Sequence, residues 1–289
     1  MTLSIDPKLS VKLKYRALSP FGLLLEATNS GSDIRDFSSA QLRQLIWEHH
    51  LIVLRGFSLL EPEVLSSYCA TWGEIVGGNF GTILDLVVHD NPKNYLFTNG
   101  KVPFHWDGAF ATAMPTFMFF QCLKAPPLGS GGETLFFDTT RVWEDANPLQ
   151  REIWKKIEIT YRTERVAHYG GEITVSLVNE HPITGKTTLR FAEPVDAGTY
   201  LNPLFFQIAG LPAEQHDRFL SELIATIYLP QNCYVHEWHE GDILIAENYA
   251  LLHGRRPFEL SSSRHLQRVN VISSEIHPSS EIHRGTYNA

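Results

Sequence analysis

The sequence predicts a mainly β fold, a β-sandwich or jelly roll with helical cover. Three observations predict it. From Tyr95 onward, short β-rich runs alternate with Gly and Pro. Before that point, apolar strand-like runs mix with helical periodicity. Finally, no internal repeat, low-complexity segment or linker divides the 289 residues, so one domain over 1–289 is expected.

Taken in order, Phe21-Gly22-Leu23-Leu24-Leu25 is a short apolar strand. Ser38 or Ser39 is placed to cap a helix whose apolar positions, Leu42, Leu45, Ile46 and Trp47, follow helical spacing. That helix is expected to end at His49-His50, on the surface. Leu51-Ile52-Val53-Leu54 reads as a strand closed by Arg55-Gly56-Phe57. A second helix is expected over 62–72, with Pro62 near its first turn. The later strands are expected at 116–122, 133–137, 173–178, 187–191, 242–246 and 266–272, with one helix near 214–227.

Charge and composition narrow the function. A net charge of −8 argues against nucleic acid or an anionic membrane as a general partner. Residues 1–10 lack the apolar core of a secretory signal, and no apolar run approaches the roughly 20 residues of a membrane span. The longest, Phe117-Met118-Phe119-Phe120, reads as a buried strand. The three cysteines, Cys69, Cys122 and Cys233, are scattered and odd in number, which fits free thiols in a reducing cytoplasm. A small-molecule enzyme is expected, with homo-oligomerisation open.

His105-Trp106-Asp107 carries the chemistry. On a strand, positions i and i+2 face the same way, so His105 and Asp107 can reach one metal while Trp106 points opposite. Two imidazoles and a carboxylate suit a divalent first-row ion and leave about three of six positions open. Spacing does not select the second imidazole among thirteen histidines. His253, after the apolar Ala250-Leu251-Leu252, reads equally as a ligand or as a core histidine. Arg264 and Arg268 share a strand face with Leu266 and Asn270. Arginines pointing inward need anions to offset desolvation, whereas an exposed edge strand would explain the charges but not the apolar alternation. HExxH, GxSxG, Walker and GxGxxG signatures are missing.

Together these residues resemble the TauD/TfdA family of iron(II)- and 2-oxoglutarate-dependent oxygenases. The likeness runs in order along the chain. It takes in His105-x-Asp107, Gly131-Gly132-Glu133-Thr134, His181-Pro-Ile-Thr-Gly-Lys186, Gly241-Asp242 through His253-Gly254-Arg255, and Arg264. Pro103-x-His105-Trp-Asp-Gly108, Ala167-His168-Tyr169, Leu251-Leu252-His253-Gly254-Arg255 and Arg264-His-Leu-x-Arg268-Val269 resemble more closely its PvcB group, which acts on tyrosine-derived isonitriles. The resemblance implies a double-stranded β-helix (jelly-roll) core, and Fe(II) held by His105, Asp107 and His253. It implies 2-oxoglutarate held by Arg264 and Thr134, with O2 as the other co-substrate. The organic substrate would be a tyrosine-derived isonitrile carboxylate, desaturated in its side chain with or without loss of CO2. Arg268 is the choice for its carboxylate, and Phe104, Phe110 and Tyr169 for its ring, although each aromatic also reads as plain core. Thr98-Asn99-Gly100-Lys101 departs from the group and would border the substrate, with Asn99 in contact. Halogenating relatives carry a small residue where Asp107 stands, so halogenation is not expected. Two rival readings are a taurine-type sulfonate hydroxylase and a cupin-like protein whose metal is incidental.

Overall fold

The computed structural model describes residues 13–77, 81–111, 113–166, 169–195, 203–260 and 263–276. In chain order the strands are β1 (Leu13–Ala17), β2 (Leu23–Ala27), β3 (Leu51–Arg55), β4 (Gly73–Ile75), β5 (Leu84–Leu86), β6 (Val102–His105), β7 (Phe117–Lys124) and β8 (Thr134–Asp138). There follow β9 (Glu158–Val166), β10 (Tyr169–Ser176), β11 (Val178–Glu180), β12 (Thr187–Leu189), β13 (Phe205–Ala209), β14 (Cys233–His236), β15 (Ile243–Glu247), β16 (Leu251–Arg255) and β17 (His265–Ser273).

Two sheets make the core. The larger runs β1-β2-β3-β15-β7-β17-β4, with β5 also on β17. Its pairs are antiparallel except β2 with β3. The smaller runs β14-β8-β16-β6 and is antiparallel throughout. Because strand side chains alternate, each sheet offers one face to the other. Phe120, Leu244 and Leu266 of the large sheet pack with Phe136 and Leu251 of the small one. This is the jelly-roll core.

Both outer faces are apolar too, so both are covered. Phe117, Phe119, Ile243 and Val269 pack with Leu42, Ile46 and Leu65 from helices Ser39–His49 and Pro62–Ala70. Phe104, Phe137 and Leu252 on the far side of the small sheet pack under Ile159 and Tyr161 of a third sheet, β10-β9-β13, and helix His216–Ile227. Helix Ser39–His49 starts with a capping box between Ser38 and Gln41.

The expected strands fall within a few residues of those observed. The differences have local causes. Helices Thr139–Asp145 and Pro148–Trp154 have seven residues each, too short to display a helical period. Their signals are caps alone, from Asp138 and from Asn147 before Pro148. His50 is not a surface residue. It adopts φ 65° at the helix end and is buried, with Nδ1 against the Glu247 carboxylate. Glu247 is also bonded by His181 Nε2 at 2.7 Å, so a fully buried carboxylate is met by two imidazoles.

The cysteines are free and buried, and burial pushes the Cys122 thiol up to about 12 and Cys233 to about 11. Among the described residues, no helix is long and apolar enough to cross a membrane.

Phe119 stands edge-on to Trp72, with ring centroids 4.8 Å apart, at 2% exposure. Phe119→Ala is expected to cost about 3–5 kcal/mol in denaturant unfolding, from lost burial and the cavity left behind. A cost below about 1 kcal/mol would contradict this packing.

Candidate active site

The candidate metal-binding set is built across strands. β16 pairs with β6 so that His253 stands opposite His105, with ring centroids 4.3 Å apart. The register shifts beside His253, and the strands come close there. A Cβ on Gly254 would lie 2.8 Å from the Val102 carbonyl, so glycine permits the approach. Asp107 follows the end of β6. Its Oδ1 lies 3.6 Å from His105 Nε2 and 3.7 Å from His253 Nε2. One donor atom from each of the three lies within 4.8 Å of the others. Trp106 packs away in the outer core with Phe104, as strand alternation requires.

Each donor is prepared for a cation. His105 Nδ1 donates to the Pro103 carbonyl at 2.9 Å. A carbonyl only accepts, so Nδ1 is the donor there and Nε2 is the nitrogen turned toward the other two donors. Burial, then the neighbouring His105, lowers His253 to about 3, so it is neutral at pH 7. Burial alone would raise Asp107, but Arg268, then His253 and His105, hold it well below the usual carboxylate range. Two imidazoles beside a carboxylate held ionised are a donor set that fits a divalent first-row ion.

Residues beyond the three donors fix Asp107. Its N–H donates to Asn248 Oδ1 at 2.9 Å, and Asn248 Nδ2 donates back to its carbonyl at 2.9 Å. Arg268 Nη1 reaches Asp107 Oδ2 at 2.9 Å, and Asn270 Nδ2 donates to the same oxygen at 2.8 Å. Spacing had marked Arg268 and Asn270 as sharing a face, but not what they face.

A pocket opens beside the set, lined by His105, His253, Thr134, Arg264 and Arg268. Leu86, Leu96, Val102 and Phe120 form its apolar wall. Arg264 precedes β17 and is buried, with Nε donating to the Gly132 carbonyl at 3.0 Å and Nη2 to Thr134 Oγ1 at 3.4 Å. No carboxylate pairs with it among the described residues. Burial, then Arg255, lowers it to about 9, so it stays charged at pH 7. Gly131 and Gly132 have positive φ and their Cβ positions are blocked by Pro257 and crowded by Arg264. Trp238 Nε1 donates to Thr134 Oγ1 at 2.9 Å.

The aromatic candidates fall elsewhere. Phe104 and Phe110 do not line this pocket: both sit in the outer core cluster, Phe104 because alternation sends it away from His105 and Phe110 from the turn after β6. Ala167 and His168 lie outside the described residues, as does the Tyr169 side chain. Asn99 is tied down, its Nδ2 donating to the Phe258 carbonyl at 2.8 Å. Sequence reasoning missed Arg255, which donates to the carbonyls of Leu96, Thr98 and Gly100 and so fixes the segment around Asn99. It also missed the aliphatic wall, which has no sequence signal beyond hydrophobicity.

The profile of the taurine catabolism dioxygenase TauD, TfdA family matches residues 14–270. The chain belongs to this family. It is an oxygenase, and its jelly-roll core is the family's. It is 63% identical over 273 residues, covering 94% of the chain and 100% of the relative, to a 3-((Z)-2-isocyanoethenyl)-1H-indole synthase of Fischerella ambigua (strain UTEX 1903). It is 36% identical to a tyrosine isonitrile desaturase of Pseudomonas aeruginosa, covering 87% of each chain. The crystal structure of PvcB from Pseudomonas aeruginosa superposes with a TM-score of 0.79 at 30% identity, covering 96% of each chain. Another structure of PvcB, described as an Fe, alpha-ketoglutarate dependent oxygenase from an isonitrile synthetic pathway, gives 0.76 at 31% identity over 94% of each.

The purified chain is expected to bind one divalent first-row ion. In calorimetric titration His253→Ala should abolish binding while leaving the metal-free unfolding transition near that of the unaltered chain. Unchanged metal affinity in both His253→Ala and His105→Ala would remove the ligand assignment.

Proposed function

We propose that this oxygenase uses iron(II), 2-oxoglutarate and O2 to desaturate the side chain of an aromatic amino-acid isonitrile. One observation carries the reading. A three-donor metal set and a buried arginine with no carboxylate partner among the described residues line the same pocket. A desolvated guanidinium is costly until an anion meets it, and its planar fork suits a carboxylate. Thr134 Oγ1 receives N–H groups from Trp238 and Arg264, neither of which can accept. Its own proton is therefore available to a bound acceptor, so Thr134 and Arg264 together would hold the distal carboxylate of 2-oxoglutarate.

His105 Nε2, His253 Nε2 and Asp107 Oδ1 would hold Fe(II). Bound there with 2-oxoglutarate and O2, it supplies a two-electron oxidation, with succinate, CO2 and water as by-products. Leu86, Leu96, Val102 and Phe120 would exclude water and give the ring an apolar wall. Arg268 also lines the pocket and is the candidate for the substrate carboxylate, with its Nη1 already ion-paired to Asp107. Loss of one hydrogen from the carbon beside the ring, with loss of the carboxylate as CO2, gives an isocyanoethenyl product. Loss of a second hydrogen from the neighbouring carbon instead keeps the carboxylate. The name of the 63% identical relative describes an isocyanoethenyl indole without a carboxyl group. That favours the decarboxylating outcome and makes the isonitrile of tryptophan a substrate to test beside that of tyrosine. Taurine would leave the apolar wall uncovered, and a protein with incidental metal has no use for Arg264 and Thr134.

Succinate release is measured with the isonitriles of tyrosine and tryptophan, free tyrosine and taurine. Coupled turnover is expected with an aromatic isonitrile, by about tenfold to hundredfold over taurine from ring burial. Preference for taurine, or equal turnover of free tyrosine, would overturn the substrate reading. In the same assay Arg264→Ala should raise the 2-oxoglutarate requirement by about one to two orders of magnitude, since a hydrogen bond to a charged group is worth about 1.5–3 kcal/mol. With Asp107 in place, products formed in excess chloride should contain no halogen by mass spectrometry; a chlorinated main product would contradict its role as ligand.

A further inference from the structure

Asp107 presents its two oxygens to opposite sides. Oδ1 faces both imidazole Nε2 atoms, at 3.6 and 3.7 Å. Oδ2 faces β17, where Arg268 Nη1 and Asn270 Nδ2 meet it at 2.9 and 2.8 Å. Arg268 and Asn270 are two apart on one strand, so they project together. That strand is paired on both sides, with β7 on one and with β4 and β5 on the other; Arg268 pairs with Phe120 and Asn270 with Met118 on β7. The amide oxygen of Asn270 is buried and has no hydrogen-bond partner among the described residues. Its side chain is therefore held by the Asp107 contact, not by some other structural duty.

A carboxylate free to turn can give a metal one oxygen or two. Two oxygens would take one of the positions that O2 and 2-oxoglutarate require. We propose that Arg268 and Asn270 are positioning residues that clamp Oδ2, so that Asp107 offers the metal Oδ1 alone. This rests on the ligand assignment above. It gives Arg268 a duty that precedes any substrate. The clamp and the imidazoles also come from different sheets, so the site is complete only when the two sheets are packed.

Asn270→Ala removes one donor with no change of charge. Arg268→Lys keeps the charge and removes the planar fork. Each is compared with the unaltered chain for Co(II) binding, without O2, 2-oxoglutarate or organic substrate, reading both the dissociation constant and the visible absorption of the bound ion. Outer partners of metal ligands typically contribute tenfold to hundredfold in affinity. Both variants are expected to bind Co(II) about tenfold or more weakly, with an altered absorption spectrum reporting a changed coordination. Thermal unfolding of the metal-free variants checks that they fold, and either variant alone suffices if the other does not. Co(II) affinity and spectrum equal to those of the unaltered chain, with only the KM for the organic substrate raised, would overturn the clamp and leave Arg268 as a substrate contact. If the unaltered chain itself binds no Co(II), the ligand assignment fails instead.

Discussion

The orientation of one carboxylate, Asp107, organises this protein. Its backbone is held by Asn248, its Oδ1 faces the imidazoles of the small sheet, and its Oδ2 faces the large sheet. A buried carboxylate is stable only when donors or cations meet it. Here the partners come from both sheets and the segment after β15, so the geometry of the site measures how the two sheets are packed. The glycine at 254 serves the same end, since the approach of β16 to β6 leaves no room for a Cβ.

The second constraint is positive charge under burial. Arg255 and Arg264 lie over the Phe258 ring, at 5.2 and 5.9 Å from its centroid. Arg255 gives its Nη groups to the backbone carbonyls of Leu96, Thr98 and Gly100 and so acts as a structural tie. Arg264 bonds only a carbonyl and a hydroxyl among the described residues, which leaves its charge uncompensated. The two arginines differ in surroundings: Arg255 has three backbone acceptors, and Arg264, on the proposed reading, awaits a carboxylate. A third buried ionic centre, Glu247 between His50 and His181, binds a helix end and the turn at 181–186 to β15, one residue before Asn248. It anchors the segment that anchors Asp107.

Much of this was legible in the chain. The strand runs were readable because buried strands are short, apolar and bounded by Gly or Pro, and the capped helix at 39–49 because eleven residues suffice to show a helical stripe. His105 and Asp107 were readable from strand spacing. His253, Arg264 and Thr134 were not derivable from spacing; motif resemblance alone picked them out. The helices at 139–145 and 148–154 were too short to show a period.

The sequence by itself determined the strand alternation, the family motifs and the chemical types at the site, because these are local patterns or follow chain order. Tertiary structure alone decided which partner each group meets. It sent Phe104 and Phe110 into the outer core and supplied Leu86, Leu96 and Phe120 as the pocket wall instead. It buried His50, and it put Arg268 and Asn270 on Asp107. Those pairings join residues more than a hundred positions apart, and only the packing of one sheet on the other brings them within hydrogen-bonding distance.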